Sequence, residues 1–147
     1  MQTLPWQAWA LLSAVFAALT AIFGKIGVES VNSDFATFLR TLIIAVVLAA
    51  ILLATGQFQP LSGVSRRTYV FLALSGLATG ASWICYYRAL KIGAASQVAP
   101  IDKMSVVFVA VFGVAFLGER LSFRNWAGVV LIAIGALMVA LKSPASS

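Results

Sequence analysis

The chain has 147 residues, of which 62% are hydrophobic and only 10% charged, and its mean hydropathy is +1.03. Soluble domains run about 45–50% apolar and about 25% charged, so this composition excludes a soluble enzyme or binding module and specifies an integral membrane protein. The net charge of +6 does not indicate nucleic acid, because the basic residues are scattered singly or in pairs between apolar runs. They form no stripe that could follow phosphates, and instead suit the anchoring of span ends at the headgroups.

The sequence predicts an all-α membrane protein with five transmembrane helices, a single domain over 1–142 and a short polar tail over 143–147. The first span, 6–28, opens on Trp6 and Trp9, which suit the membrane interface. Met1 to Pro5 hold no Lys or Arg, so the basic region of a secretory signal is lacking and the segment is expected to be retained. Ser13, Ala17, Thr20 and Gly24 share one small, weakly polar face suited to close helix contact, with Lys25 and Glu29 a turn apart near the end. Val31 to Asp34 reads as a turn in which Ser33 or Asp34 caps the second span, 35–55. Arg40 lies one to two turns inside that span, and 56–67 is a loop with Pro60, Gly63 and the pair Arg66-Arg67.

The third span, 69–90, has two faces of interest. Ser75, Thr79, Ser82 and Tyr86 line one, and Gly76, Gly80, Trp83 and Tyr87 line the next. This polar and aromatic half is either ordinary small-residue packing or the wall of a cavity. Arg88 and Lys91 close the span and Gly93 terminates it.

The stretch 94–121 is the fourth span, and it carries Pro100, Asp102 and Lys103 well inside. From Ala94 to Lys103 is roughly 13 Å of helix, close to the midplane of a hydrocarbon core about 30 Å thick. An ionisable group there costs about 2.5–3.5 kcal/mol to insert. Pro100 removes a backbone hydrogen bond, frees a carbonyl one turn upstream and is the expected helix break. This segment should therefore face protein or water, with the other helices arranged around it. Gly118-Glu119-Arg120 ends it, and Ser122 is placed to cap the fifth span, 123–141. Gly128, Gly135, Ala136 and Ala140 on that otherwise aliphatic helix favour close helix association, which makes Gly128, Gly135 and Ala136 candidate dimer contacts.

Five spans put the termini on opposite sides. Arg66, Arg67, Arg120 and Arg124 then fall on one side, and Lys25, Arg40, Arg88, Lys91 and Lys142 on the other. The Lys/Arg bias sets orientation, and here it almost vanishes. Either the chain inserts both ways and two opposed copies assemble as transporters do from inverted repeats, or a small bias fixes one orientation.

No catalytic constellation is visible. The chain has no His, its one cysteine is Cys85, and no GxxxxGK loop occurs. His-based triads, thiolate zinc sites, an intrachain disulfide and a built-in ATP motor are thereby excluded. No enzyme activity, metal or cofactor is expected. The candidate substrate and ion-coupling residues are Asp102 and Lys103, with Thr79, Ser82, Trp83, Tyr86, Tyr87 and Gln97 around them. Lys103 suits a carboxylate or phosphate, and Asp102 can carry a proton. Neighbouring helix positions point about 100° apart, so the two need not touch. The alternative is a structural ion-pair network that fixes helix register. Lys25 and Arg40 sit nearer the boundary, can snorkel, and rank lower.

At Tyr87-Arg88-Ala89-Leu90, Ser96-Gln97-Val98-Ala99-Pro100, Phe116-Leu117-Gly118-Glu119-Arg120-Leu121 and Gly128-Val129-Val130-Leu131-Ile132-Ala133-Ile134-Gly135 the chain resembles an EamA domain of the drug/metabolite transporter superfamily. The match covers nearly the whole chain, and the C-terminal half is its specific part. Many members carry two such domains and ten helices in an inverted repeat; this chain resembles the short members with one. The resemblance implies a carrier of small metabolites or drugs in the plasma membrane of a bacterium or archaeon, working by alternating access, without ATP or covalent chemistry. It also implies a homodimer, possibly antiparallel, joined through the last helix. The departure is Ile101-Asp102-Lys103-Met104, where two-domain members usually have uncharged residues. A membrane subunit that stabilises a partner, or a flippase of lipid-linked substrates, is the competing reading.

Overall fold

In hydrocarbon a segment must satisfy its own backbone, and a helix does so unaided. The computed structural model describes residues 4–141. Its elements are α1 (Trp6–Val28), α2 (Ser33–Thr55), a 3-10 turn at Leu61–Gly63, α3 (Arg66–Ile92), α4 (Ala95–Asp102), α5 (Ser105–Leu117) and α6 (Phe123–Ala140). No strand occurs among the described residues. With α4 and α5 taken together as Ala95–Leu117, five spans are long and apolar enough to cross a bilayer. The expected polar tail, and Lys142 with it, lie outside the described residues.

Local chemistry sets the boundaries. The cap of α2 is Asn32, one residue before the expected Ser33 or Asp34, and its Oδ1 accepts from the Asp34 and Phe35 amides at 2.9 and 3.1 Å. Asp34 is drawn instead into an ion pair with Arg88. Helix α3 starts a turn earlier than its apolar run, because Ser65 Oγ accepts from the Thr68 amide at 3.1 Å; Arg66 and Arg67 therefore form its first turn. Ser122 caps α6 as expected, accepting from the Asn125 amide at 3.3 Å. Gly118 stops α5 at φ 69°, a left-handed conformation that glycine adopts without strain. Beyond it the Glu119 amide donates to Gly113 O at 3.1 Å, and the Glu119 carboxylate folds over Gly113, where Oε2 would stand 2.7 Å from any added Cβ.

The fourth span is not one helix. Pro100 sits inside α4, and the interruption falls after it, at Lys103 and Met104. There the Met104 amide turns to Ile101 O at 2.9 Å, and the Val106 and Val107 amides bond Lys103 O and Met104 O at 3.0 and 2.9 Å. These are three-residue steps, so the chain tightens into a short 3-10 stretch, a form that marks hinges in long helices.

The chain divides into two compact units. One comprises residues 4–23 and 92–141 of the described part, in which α6 packs against both α4 and α5, with Gly113 and Ala136 buried. The other is Gly24–Lys91, whose buried residues are Gly24, Val28, Thr37, Tyr87 and Leu90. In this second unit α1 and α3 end together and close each other's ends. Lys91 Nζ donates to Val28 O, Glu29 O and Val31 O at 2.8, 2.9 and 2.8 Å. Lys25 Nζ donates to Leu90 O at 2.8 Å. The last carbonyls of a helix have no partner within it, and a cation there also meets the negative end of the helix dipole.

Removing Lys91's three donors should therefore loosen this corner. Lys91→Met is expected to cost about 1–2 kcal/mol, read as a melting temperature in detergent roughly 3–6 °C lower. An unchanged melting temperature would show that water supplies those carbonyls equally well.

Candidate functional site

Two groups of polar residues lie inside the spans, one in each unit. In the Gly24–Lys91 unit the centre is Arg40. It sits seven residues into α2, roughly 10 Å along the helix. Its guanidinium carbon lies 4.0 Å from the centroid of the Trp83 ring and 5.4 Å from that of Tyr87. Trp83 and Tyr87 are four residues apart on α3 and so share a face. Tyr87 is buried and meets Tyr86 edge to face at 6.2 Å. The Tyr87 hydroxyl rests where Gly24 carries no side chain, 3.0 Å from the position of a Cβ. Glycine at 24 thus lets α3 approach α1 and fixes the ring that Arg40 faces.

Each cation–π contact contributes about 0.5–2 kcal/mol, against about 2.5–3.5 kcal/mol to insert an arginine at mid-membrane. The two rings together offset much of that cost. The neighbouring cations are held differently. Arg88 makes a fork to Asp34, Nε to Oδ1 at 2.8 Å and Nη2 to Oδ2 at 2.6 Å, and Lys25 and Lys91 bond backbone carbonyls. Among the described residues Arg40 makes neither a hydrogen bond nor an ion pair.

The second group is in the other unit. Lys103 Nζ and Asp102 Oδ2 are 3.2 Å apart, with the side chains 55% and 34% exposed. Adjacent helix positions need not meet, but here the two side chains do. Lys103 is the last residue of α4's ladder, its amide bonded to Ala99 O at 3.1 Å. Gln97 and Pro100 are half-buried in the same short helix.

The remaining candidates fall out as follows. Ser82 and Thr79 are exposed, and Thr79 Oγ1 donates to Ser75 O at 2.8 Å. Trp83 and Tyr86 are half-buried. Gly128 and Gly135 have nothing within 4 Å of an added Cβ, whereas Ala136 is 8% exposed and packs inside its own unit. Among the described residues no group of His, Cys, Asp and Glu could hold a metal ion. Arg40, ranked below Asp102 and Lys103 from the sequence, meets aromatic partners more than forty residues away in the chain, a contact that spacing along one helix does not reveal.

The Gly24 contact yields a paired test. Gly24→Leu forces its side chain into Tyr87, an overpacking worth about 1–3 kcal/mol, and should lower the melting temperature. Gly27→Leu, on the same helix with nothing within 4 Å of its Cβ, should leave it unchanged or slightly raised. Equal effects from the two variants would place Tyr87 elsewhere.

The model of the EamA-like transporter family matches residues 4–141. An uncharacterised transporter encoded in the cobO 3' region of a Sinorhizobium species is 63% identical over 136 residues, covering 92% of this chain and 96% of that protein. An uncharacterised transporter of Archaeoglobus fulgidus is 28% identical over 90% of this chain, which spans 46% of the relative's length. An uncharacterised protein of Methanocaldococcus jannaschii is 24% identical over 90% of this chain and 94% of its own. No solved structure matches the chain significantly. With the five spans of an all-helical membrane protein and a family match over nearly its entire length, the chain belongs to the EamA-like transporter family.

Proposed function

We propose that the protein is a secondary carrier of small metabolites or drugs that works by alternating access as a homodimer, with Asp102 and Lys103 at its solute and ion-coupling site. The observation that carries this reading is the interrupted fourth span, which presents the pair with Lys103 55% and Asp102 34% exposed. A purely structural pair would be closed off between helices. Discontinuous helices supply ion and solute sites in many transporters, and non-helical backbone at membrane depth is tolerated where it lines a cavity or is covered by protein.

Two observations support a second copy. Among the described residues nothing lies within 4 Å of a Cβ added at Gly128 or Gly135 on α6. The chain also spans 46% of the Archaeoglobus relative and 42% of a Bacillus subtilis relative, the proportion expected of one half of a doubled transporter. Those bacterial and archaeal sources support a plasma-membrane location.

Transport is tested in proteoliposomes offered a mixed metabolite pool, with the accumulated solutes identified by mass spectrometry. Lys103→Gln keeps most of the side-chain length and should cut transport of anionic solutes by about 10- to 100-fold, the worth of a charge-assisted hydrogen bond. Asp102→Asn should change the pH dependence of the same uptake. If both singles melt early while the Asp102→Leu, Lys103→Met double recovers stability and transport, the pair is structural. No uptake of any solute by the parent protein would defeat the carrier reading altogether.

The dimer is tested separately. Gly128→Leu or Gly135→Leu should lower the dimer fraction in detergent while leaving the monomer helical, because a leucine keeps a second backbone away. An undiminished dimer fraction would move the interface off α6.

A further inference from the structure

We infer that Arg40, held on the Trp83 and Tyr87 rings, is a second anion site, one that binds the carboxylate of a small organic acid. This goes beyond the proposed role of Asp102 and Lys103 and does not depend on it. A guanidinium binds in two ways. Its flat face stacks on an aromatic ring, while its N–H donors point outward in the plane, in a fork that fits a carboxylate. Here the guanidinium lies over both rings, its carbon 4.0 Å from the Trp83 centroid and 5.4 Å from that of Tyr87. Its N–H donors are not engaged: among the described residues Arg40 makes no hydrogen bond and no ion pair. The nearby acid Asp34 is already committed to Arg88 through two bonds of 2.8 and 2.6 Å.

Snorkelling to the headgroups would account for a cation near a span end, but the geometry opposes it. Trp83 lies nine residues before the end of α3, roughly 13 Å in, and Tyr87 only five, roughly 7 Å. The guanidinium is nearer the deeper ring. Both aromatic side chains belong to a helix whose end is locked, since Leu90 O accepts from Lys25 and Lys91 Nζ bonds the carbonyls of Val28, Glu29 and Val31 at the end of α1 and just beyond it. The Tyr87 hydroxyl is also seated against Gly24, 3.0 Å from where a Cβ would stand. A rigid aromatic shelf, a stacked guanidinium and a vacant N–H edge make a carboxylate receptor at membrane depth, where a desolvated charge pair is stronger than in water.

An oxyanion could reach this fork from solution or as a lipid headgroup, and the test separates them. The full chain is placed in nanodiscs of phosphatidylcholine alone, or with phosphatidylglycerol, and titrated with benzoate. Melting temperature and tryptophan fluorescence are followed together. In neutral nanodiscs benzoate should raise the melting temperature saturably. Arg40→Gln should weaken that binding by about 10- to 100-fold. Arg40→Lys, which keeps the charge and loses the planar fork, should weaken it as well. The titration is repeated in the Lys103→Gln background, where any benzoate held at the Asp102–Lys103 site is lost; a saturable response must remain there and must still weaken with Arg40→Gln, which keeps this test distinct from that of the Asp102–Lys103 site. Benzoate binding equal in Arg40→Gln and the parent, or no saturable response in the parent, overturns the inference. So does benzoate binding that phosphatidylglycerol abolishes, because the occupant is then a lipid headgroup. If Arg40→Gln fails to fold, Trp83→Leu takes its place. It leaves the charge but removes the nearer ring, and must also lower benzoate affinity.

Discussion

A helix that ends beside hydrocarbon leaves carbonyl oxygens with no partner in their own ladder, and in the segment Gly24–Lys91 that debt is settled by two lysines acting in opposite directions. Lys25 reaches from α1 to the end of α3, and Lys91 reaches from α3 to the end of α1. Lysine has three N–H donors and Lys91 places all of them on carbonyls. The other features of this unit follow from that corner. Val28 and Leu90 are fully buried there, Tyr87 is seated on Gly24, and the Trp83 and Tyr87 rings face Arg40. The sign is consistent throughout: α1 and α3 present negative dipole ends to cations, and α2 presents its positive end to Asp34.

The spans themselves were open to sequence reasoning because lipid imposes one simple demand, a long apolar run, and α1 and α2 end at Val28 and Thr55 as hydropathy indicates. Capping was harder. Asn32, Ser33 and Asp34 are three good cap formers in a row, and the choice among them was made at a distance by Arg88, which takes Asp34. The start of α3 was missed for a similar reason, since Ser65 caps a turn whose two arginines look like loop. At the candidate sites, Trp83 and Tyr87 could be grouped by helical spacing, but spacing along one helix does not say which cation of another helix will meet them. The position of the break in the fourth span was also obscured. Pro100 announces a weak ladder, yet the three-residue bonds that replace the regular ones appear only at Met104 and beyond.

Two kinds of polar group are thereby kept at membrane depth by different physics. Asp102 and Lys103 neutralise each other at a point where the helix tightens, so their charge is nearly balanced locally and stays accessible. Arg40 is stabilised by polarisable rings that leave its charge intact and its donors unspent. A balanced pair suits a site that must release what it binds, because solute and partner compete for the same charge. An unbalanced cation attracts anions continuously.

The reciprocal lysine closure also bears on how the chain is made. Lys91 and the carbonyls it covers are about sixty residues apart. When α1 leaves the ribosome and enters the bilayer, Val28, Glu29 and Val31 have only water and headgroups for their oxygens. Their permanent donor does not exist until α3 has been synthesised to its end. Insertion of the first helix and completion of its packing are therefore separate events, and the first three helices form the smallest piece of the growing chain in which that corner can close.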